Sequence, residues 1–208
     1  MFDDFSLDIP KELENLQLPA PELLSFYRDM QNRIIWVDFE IDANLLEVVK
    51  MILRFNAEDT GKPIEERKPI HMLIHSSGGD LVSTYACIDV MMASETPIVT
   101  VNMGMALSGG FLLLLGGSKR YTLSRASAMY HAGSAGFEGT AAQIETVTKH
   151  YNIQLKQMKD YILERTTMDA RTYNKYKDAD GWMDANTQVK FGVVHDIVSD
   201  ISNIIGGV

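Results

Sequence analysis

A run of 20 residues without a charged side chain, from Ile98 to Gly117, constrains the fold more than any other part of the sequence. It reads "IVTVNMGMALSGGFLLLLGG", and its length matches that of a membrane-spanning helix. Five glycines, an asparagine and two hydroxyl residues interrupt the run, however, and Pro97 precedes it. These residues favour a segment buried inside a globular protein over the alternative of a membrane span, so we expect no membrane insertion.

The uncharged run divides into three parts by residue type. "PIVTVNM" is rich in β-branched residues and predicts a buried strand, "GMALSGG" predicts a turn, and "FLLLLGG" predicts a short buried helix ended by glycine. Ser108 therefore lies between a strand and the N-terminus of a helix. Its hydroxyl is either a small polar group in a packed turn or a nucleophile, depending on whether the chain also supplies a base, an acid and an oxyanion site.

Composition excludes several classes of function. The chain has 208 residues, which is enough for one domain with a sizeable core, and a net charge of −9, which argues against a nucleic-acid partner. Its single cysteine, Cys87, allows no internal disulfide and no thiolate metal cluster. The acidic start "MFDDFSLDIP" is unlike a signal peptide, and no GxGxxG or P-loop sequence occurs. We expect a cytoplasmic protein without a metal or another cofactor.

Strand-like and helix-like segments alternate along the chain. Residues 1–32 are polar and contain three prolines, and they predict a divergent N-terminal arm with a short helix at "ELLSFYRDM". From residue 33 to 208 the strands "RIIWVDF", "IHMLIH", "PIVTVNM", "YTL", "ASAMYH" and "VVHDIV" are separated by helical segments. This order indicates a single α/β domain with crossover connections.

The clearest predicted helix lies in the second half of the chain. Thr140 and Gln143 have the spacing of a capping box at its start. Apolar residues then recur at helical spacing, at Ile144, Val147, Tyr151, Leu155, Met158 and Ile162. A glycine-spaced stretch, "AGSAGFEG", precedes this helix, and we expect it to be a strand.

Two glycine turns, a histidine and an aspartate could complete a site around Ser108. "SSGGD" follows a predicted strand, so the backbone N–H groups of this turn and of Gly109 could converge as an oxyanion hole. His131 ends "ASAMYH", where we expect it at a sheet edge facing a cleft. Asp178, Asp180 and Asp184 are candidates for the acid, and residue type does not choose among them. The alternative is that both glycine turns only pack in a crowded core.

The sequence resembles the Clp protease proteolytic subunit (ClpP) family of serine peptidases from about Arg33 to Ile201. The likeness is carried by "SSGGD", "GMALSGGFLL", "RYTLSRASAMYH", "GFEGTAAQIE" and "DGWMDANTQVKFGVVHDI". The resemblance implies an α/β fold of the ClpP and crotonase type. This fold is a spiral of β-β-α units with a protruding strand–helix handle, here at about residues 132–165.

The resemblance also implies roles for individual residues. Ser108 matches the nucleophile, His131 the general base and Asp180 the acid that orients the base. Gly79 and Gly109 match the donors of the oxyanion hole. The residues expected to contact an extended substrate by strand pairing are Gly78, Gly133, Ser134, Ala135 and Gly136.

The implied partners are unfolded polypeptides or short peptides as substrates, further copies of the chain in heptameric rings that could pair into a tetradecamer, and a ring ATPase. The positions that match the family's ATPase-docking aromatics are His71, Leu73 and Ala93, and none of them is aromatic. We therefore do not expect an ATPase to dock in the family's usual form.

Three other interpretations are weighed against a peptidase. A crotonase-type acyl-CoA enzyme would need no serine–histidine–aspartate triad, and a catalytically latent ring subunit would be expected to lack a triad residue. A relative of signal-peptide peptidases would need a lysine base, which no candidate position supplies. The presence of Ser108, His131 and Asp180 in register favours the endopeptidase.

Overall fold

The computed structural model describes residues 21–200 and 202–205. Helices and strands alternate as the sequence predicts. The helices are α1 (Pro21–Gln31), α2 (Leu45–Glu58), α3 (Leu81–Ala93), α4 (Gly109–Leu115), α5 (Ala141–Arg165), α6 (Ala170–Tyr176), α7 (Ala185–Lys190) and α8 (Ser202–Ile205). The strands are β1 (Ile34–Val37), β2 (Ile70–Ser76), β3 (Ile98–Leu107), β4 (Lys119–Thr122), β5 (Ser127–Tyr130), β6 (Gly181–Met183) and β7 (Asp196–Ile197). Of the predicted N-terminal arm, residues 1–20 lie outside the described residues.

The strands form one sheet in the order β1-β2-β3-β4-β7, and all of these neighbours are parallel. Strand β3 is long enough to have two partners on the same edge. Its first half pairs with β4 at residues 99–102, and its second half pairs with β5 at residues 105–107. β5 in turn pairs with β6 in antiparallel fashion. The split at β3 brings the end of β5 beside the end of β3.

The uncharged run from Ile98 to Gly117 forms strand β3 and helix α4, both inside the protein. Each residue from Gly109 to Leu115 is buried, which explains why this helix carries no polar face. Among the described residues, no helix is both long and apolar enough to cross a membrane. The predicted turn is shorter than the sequence suggested, because β3 continues to Leu107 by pairing with β2 and β5. Only Ser108 separates the strand from the helix.

Helix α5 begins with the predicted capping box, and only its second half reaches the core. The backbone N–H of Thr140 donates to Gln143 Oε1 at 2.9 Å, and the N–H of Gln143 donates to Thr140 Oγ1 at 3.4 Å. Of the apolar stripe, Met158 and Ile162 are buried, whereas Ile144 is 38% exposed. The first half of the helix therefore lies outside the core of a single chain.

Two predicted strands differ from the structure. The stretch "AGSAGFEG" contains no strand, because residues 133–140 are exposed and have no neighbouring strand to pair with among the described residues. The last strand is only Asp196–Ile197 rather than the whole of "VVHDIV". Val193 and Val194 are instead buried in the core beside the end of α7.

Candidate active site

Ser108 occupies a strained turn between β3 and α4. Its backbone has φ 51° and ψ −116°, and a positive φ is uncommon for any residue other than glycine. The turn is fixed on both sides, since the Ser108 N–H donates to Met129 O at 2.8 Å and Ser108 O accepts from Leu112 N at 3.2 Å. A strained strand-to-helix turn of this kind exposes a side-chain hydroxyl at the top of a sheet.

The second glycine turn, Gly78–Gly79, lies directly against the serine turn. A Cβ added to Gly78, which has φ 91°, would lie 2.7 Å from Gly109 N, so only glycine fits there. Ile41 holds the turn from the other side, because its N–H donates to Gly78 O at 2.7 Å and its carbonyl accepts from Asp80 N at 2.8 Å. A Cβ on Gly79, at φ 147°, would lie 2.1 Å from Ile41 O. Close backbone contact therefore requires both glycines.

The backbone N–H groups of Gly79 and Gly109 are left free by these contacts. Within the described part of the chain, neither N–H has a hydrogen-bond acceptor. A Cβ on Gly109 would lie 3.5 Å from Gly79 N, so the two turns are in contact. Two free N–H donors next to the Ser108 hydroxyl are what an oxyanion hole requires.

His131 is hydrogen-bonded to Ser108. The distance between Ser108 Oγ and His131 Nε2 is 2.8 Å, and the imidazole is half-buried. The contact depends on β5, which ends at Tyr130 and pairs with β3 through Met129 and Leu107. With a proton on Nδ1, Nε2 can accept the hydroxyl proton of Ser108, as a general base must.

The three candidate aspartates have different environments. The Asp178 carboxylate pairs with Lys177 at 2.6 Å, and Asp184 caps α7 by accepting from Thr187 N at 2.8 Å. Asp180 is exposed, and its carboxylate has no hydrogen bond or ion pair with the described residues. The ladder of β5 and β6 ends at the pair Tyr130–Gly181, so His131 and Asp180 are the residues directly beyond its last pair. Asp180 is thus the candidate nearest along the chain to this end of the ladder, and its carboxylate has no hydrogen bond with His131.

Ser108, His131 and the two glycine turns line a cleft of about 590 Å³, whereas Asp180 is not among its lining residues. Of the predicted substrate contacts, Gly78, Gly133, Ser134 and Ala135 line it, whereas Gly136 does not. One wall is apolar and consists of Leu112, Met129, Leu155, Met158 and Ile162.

Some residues of the cleft were missed by the sequence interpretation. Tyr151 and Leu155 belong to the apolar stripe of α5, so a signal existed, but their position over the cleft was not evident. Phe137 packs on Tyr151 with ring centroids 5.6 Å apart. Glu40 also lines the cleft, and no local pattern marked it.

A hydrogen-bonded serine and histidine beside two free backbone N–H groups, at the end of a parallel sheet, are typical of serine hydrolases. The chain belongs to the Clp protease family, whose model matches residues 22–200. The match starts eleven residues before the predicted domain boundary at Arg33, and it includes nearly all of α1. This membership confirms the predicted family, the α/β fold and the enzyme class, a serine-type endopeptidase.

Curated relatives cover most of the chain. It is 32% identical over 185 residues to the ATP-dependent Clp protease proteolytic subunit 1 of Leifsonia xyli subsp. xyli, with 88% of this chain and 91% of the relative aligned. It is 33% identical over 175 residues to the proteolytic subunit 2 of Tropheryma whipplei, with 83% and 94% aligned. Identity to the subunit 2 of Corynebacterium efficiens is 31% over 195 residues, with 89% and 95% aligned.

Proposed function

We propose that this chain hydrolyses unfolded polypeptides or short peptides through Ser108, His131 and Asp180. The observation that carries the proposal is the 2.8 Å contact between Ser108 Oγ and His131 Nε2, beside the free N–H groups of Gly79 and Gly109. The same residues match the nucleophile, base and oxyanion donors that the family resemblance implies.

The chemistry follows from this geometry. His131 Nε2 takes the hydroxyl proton as Ser108 Oγ attacks the peptide carbonyl, and the resulting oxyanion accepts hydrogen bonds from Gly79 and Gly109. His131 then gives the proton to the leaving amine, and a water molecule hydrolyses the acyl-enzyme by the same route. Losing one oxyanion donor in comparable enzymes lowers kcat about 10²- to 10³-fold.

In this mechanism Asp180 orients the base. Its carboxylate accepts from His131 Nδ1–H, which fixes the required tautomer and stabilises the imidazolium. The proposal is supported by its place directly beyond the last pair of β5 and β6, where His131 also lies, and by its lack of another partner among the described residues, in contrast to Asp178 and Asp184. A rotation of the exposed Asp180 side chain has to complete the triad.

We propose that the subunits assemble into heptameric rings that pair into a tetradecamer through the handle, residues 132–165. Exposed apolar side chains on this segment support the proposal, because apolar surface in contact with water does not stabilise a single chain. Ile153 is 58% exposed, and Ile144 and Phe137 are each 38% exposed. A contact between the handles of two copies would bury them.

A ring ATPase is the proposed source of unfolded substrate, since the relatives are named as ATP-dependent. His71 and Leu73 are buried in this chain, and Ala93 offers only a methyl group. An ATPase would therefore use contacts other than aromatic rings at these three positions. A cytoplasmic location is proposed because the single cysteine, Cys87, is a free thiol.

A catalytically latent ring subunit is the second candidate function, because the Asp180 carboxylate does not contact His131. Labelling of the full-length protein with a fluorophosphonate distinguishes the two, with adducts located by intact mass and peptide mapping. The endopeptidase is expected to carry one adduct, on Ser108, that disappears in Ser108→Ala and His131→Ala. Ser124→Ala, which removes an exposed hydroxyl outside the cleft, is the matched control and should label like the parent.

Peptide turnover is measured on the same samples. Ser108→Ala is expected to lose it by about 10⁶-fold, the effect of removing the nucleophile of a triad. Absence of an adduct in assembled parent protein would instead support the latent subunit. An adduct that maps to any other serine would contradict the assignment of the nucleophile.

A further inference from the structure

Glu40 is a charged side chain of the cleft that the proposed mechanism does not use. It directly precedes Ile41, whose backbone holds the Gly78–Gly79 turn through hydrogen bonds of 2.7 and 2.8 Å. Glu40 is therefore anchored beside the oxyanion donors. Its side chain is exposed, and its carboxylate makes no hydrogen bond or ion pair with any described residue. Because Glu40 lines the cleft, its charge lies near the space in which a substrate would lie.

The other carboxylate of the cleft, that of Asp80, is already compensated. It accepts from Ser83 N at 2.7 Å and caps the positive end of α3, and hydrogen bonds from Ser83 hold its pKa below the ordinary value. No lysine or arginine is among the described residues that line the cleft. Glu40 is consequently the uncompensated charge at this end, while the wall formed by Leu155 and Met158 is apolar.

We propose that Glu40 is a specificity-determining residue, which favours substrates with a lysine or arginine side chain in the subsite beside the Gly78–Gly79 turn. The inference rests on the proposed peptidase function. A substrate cation near Glu40 gains Coulomb energy, and an acidic side chain in the same place is repelled. Because Glu40 is exposed, the effect is modest and weakens as salt screens it.

The test uses the full-length protein and fluorogenic peptides that differ at one position. Lysine, glutamine or glutamate is placed in turn at each position flanking the cleaved bond. At one of these positions, kcat/KM for lysine is expected to exceed that for glutamate about three- to tenfold at low ionic strength, the range given by two weak exposed charge interactions. The ratio should fall towards one in high salt.

Three variants assign the preference to Glu40. Glu40→Gln should bring the ratio of lysine to glutamate peptides close to one, and Glu40→Lys should invert it. Glu47→Gln is the matched control, since Glu47 is an exposed carboxylate on α2 that pairs with Lys50 away from the cleft. This control should leave the ratio as it is in the parent.

The outcomes separate this inference from the proposed function. Turnover of neutral peptides without any charge preference, or with a preference that Glu40→Gln leaves intact, overturns the role of Glu40 and leaves the peptidase assignment standing. Absence of turnover of every peptide contradicts the peptidase assignment. Fluorescence anisotropy of the same peptides with Ser108→Ala then decides the charge preference, because it measures binding without cleavage.

Discussion

Arg33 and Ser108 are strained to a similar degree, with φ of 56° and 51°, but they lie at opposite edges of the parallel sheet and differ in what surrounds them. Arg33 precedes β1 at the edge formed by the amino ends of the strands, whereas Ser108 follows β3 at the carboxyl edge. In parallel α/β sheets the carboxyl edge is the usual place for ligands. Comparing them shows what a strained backbone does where the surrounding polar groups are hydrogen-bonded and where they are not.

Around Arg33 the charged groups have partners. The guanidinium donates two hydrogen bonds to the fully buried carboxylate of Asp59 and one to Lys68 O at 2.8 Å, and it stacks over the Phe55 ring at 5.3 Å. Asp59 also accepts from Thr96 Oγ1 at 3.0 Å. These bonds join the start of β1 to the end of α2 and to the loop before β3. The strain at Arg33 is thus held by a closed network, which is a structural role.

Around Ser108 the opposite holds. The N–H groups of Gly79 and Gly109 and the carboxylate of Asp180 have no partner among the described residues, and the two N–H groups lie beside a cleft of about 590 Å³. These polar groups could have been hydrogen-bonded within the protein, but they remain free for a substrate. The strain beside free donors at Ser108 agrees with the proposed reactive site, whereas the strain at Arg33 is held by bonded groups.

Of the predictions that test this contrast, the largest effect is expected on peptide turnover, from Asp180→Asn. An amide at this position cannot hold His131 in the required tautomer, and the equivalent change in a serine protease triad lowers kcat about 10⁴-fold. Peptide turnover measures the loss. The thermal midpoint should stay that of the parent, because the Asp180 side chain has no contact to lose. Asp178→Asn, which removes a neighbouring carboxylate paired with Lys177, is the control and should retain nearly full activity.

A smaller effect, and one on stability instead of catalysis, is expected from Asp59→Ala. It leaves the Arg33 guanidinium buried without its counter-ion, which typically costs about 3–5 kcal/mol of unfolding free energy. Urea denaturation measures the cost. Glu58→Ala is the control, since Glu58 is half-exposed at 3.4 Å from Arg33 and should cost at most about 1 kcal/mol. Equal losses of unfolding free energy in the two variants would show that the burial of Asp59 does not contribute to the stability of the network around Arg33.

The smallest effect is a dependence of stability on pH. Hydrogen bonds from Arg33 hold the pKa of Asp59 well below its ordinary value. The native state then binds fewer protons than the unfolded state, so the stabilisation is complete above the unfolded pKa of about 3.9 and is lost as pH falls below it. Urea denaturation should show stability declining below about pH 4, with Asp59 contributing at most about 1.4 kcal/mol per pH unit.

The share of Asp59 in this decline is isolated by the Asp59→Asn variant. Its stability should fall less steeply in the same pH range, because the remaining depressed carboxylates, such as Asp80, only cap helices at the surface. If Asp59→Asn loses stability in acid as steeply as the parent, Asp59 is not the source of the acid sensitivity.

Local patterns in the sequence determined much of this protein. The β-branched run, the serine and the glycine pair predicted β3, the turn and α4, because side-chain shape and glycine act over a few residues. Thr140 and Gln143 predicted the start of α5 for the same reason. The resemblance to the Clp protease family then selected Ser108, His131 and Asp180 as candidates for catalysis.

The tertiary structure alone decided what depends on residues far apart in the chain. The pairing of β5 with β6 ends at Tyr130 and Gly181, so the ladder stops next to His131 on one strand and next to Asp180 on the other. The extension of β3 to Leu107 followed from its pairing with β2 and β5, which overrode the turn signal of Gly104. The position of Glu40 beside the oxyanion turn depends on the bridge between Ile41 and Gly79. Strand register and crossover connections create such neighbours, and no local pattern of residues encodes them.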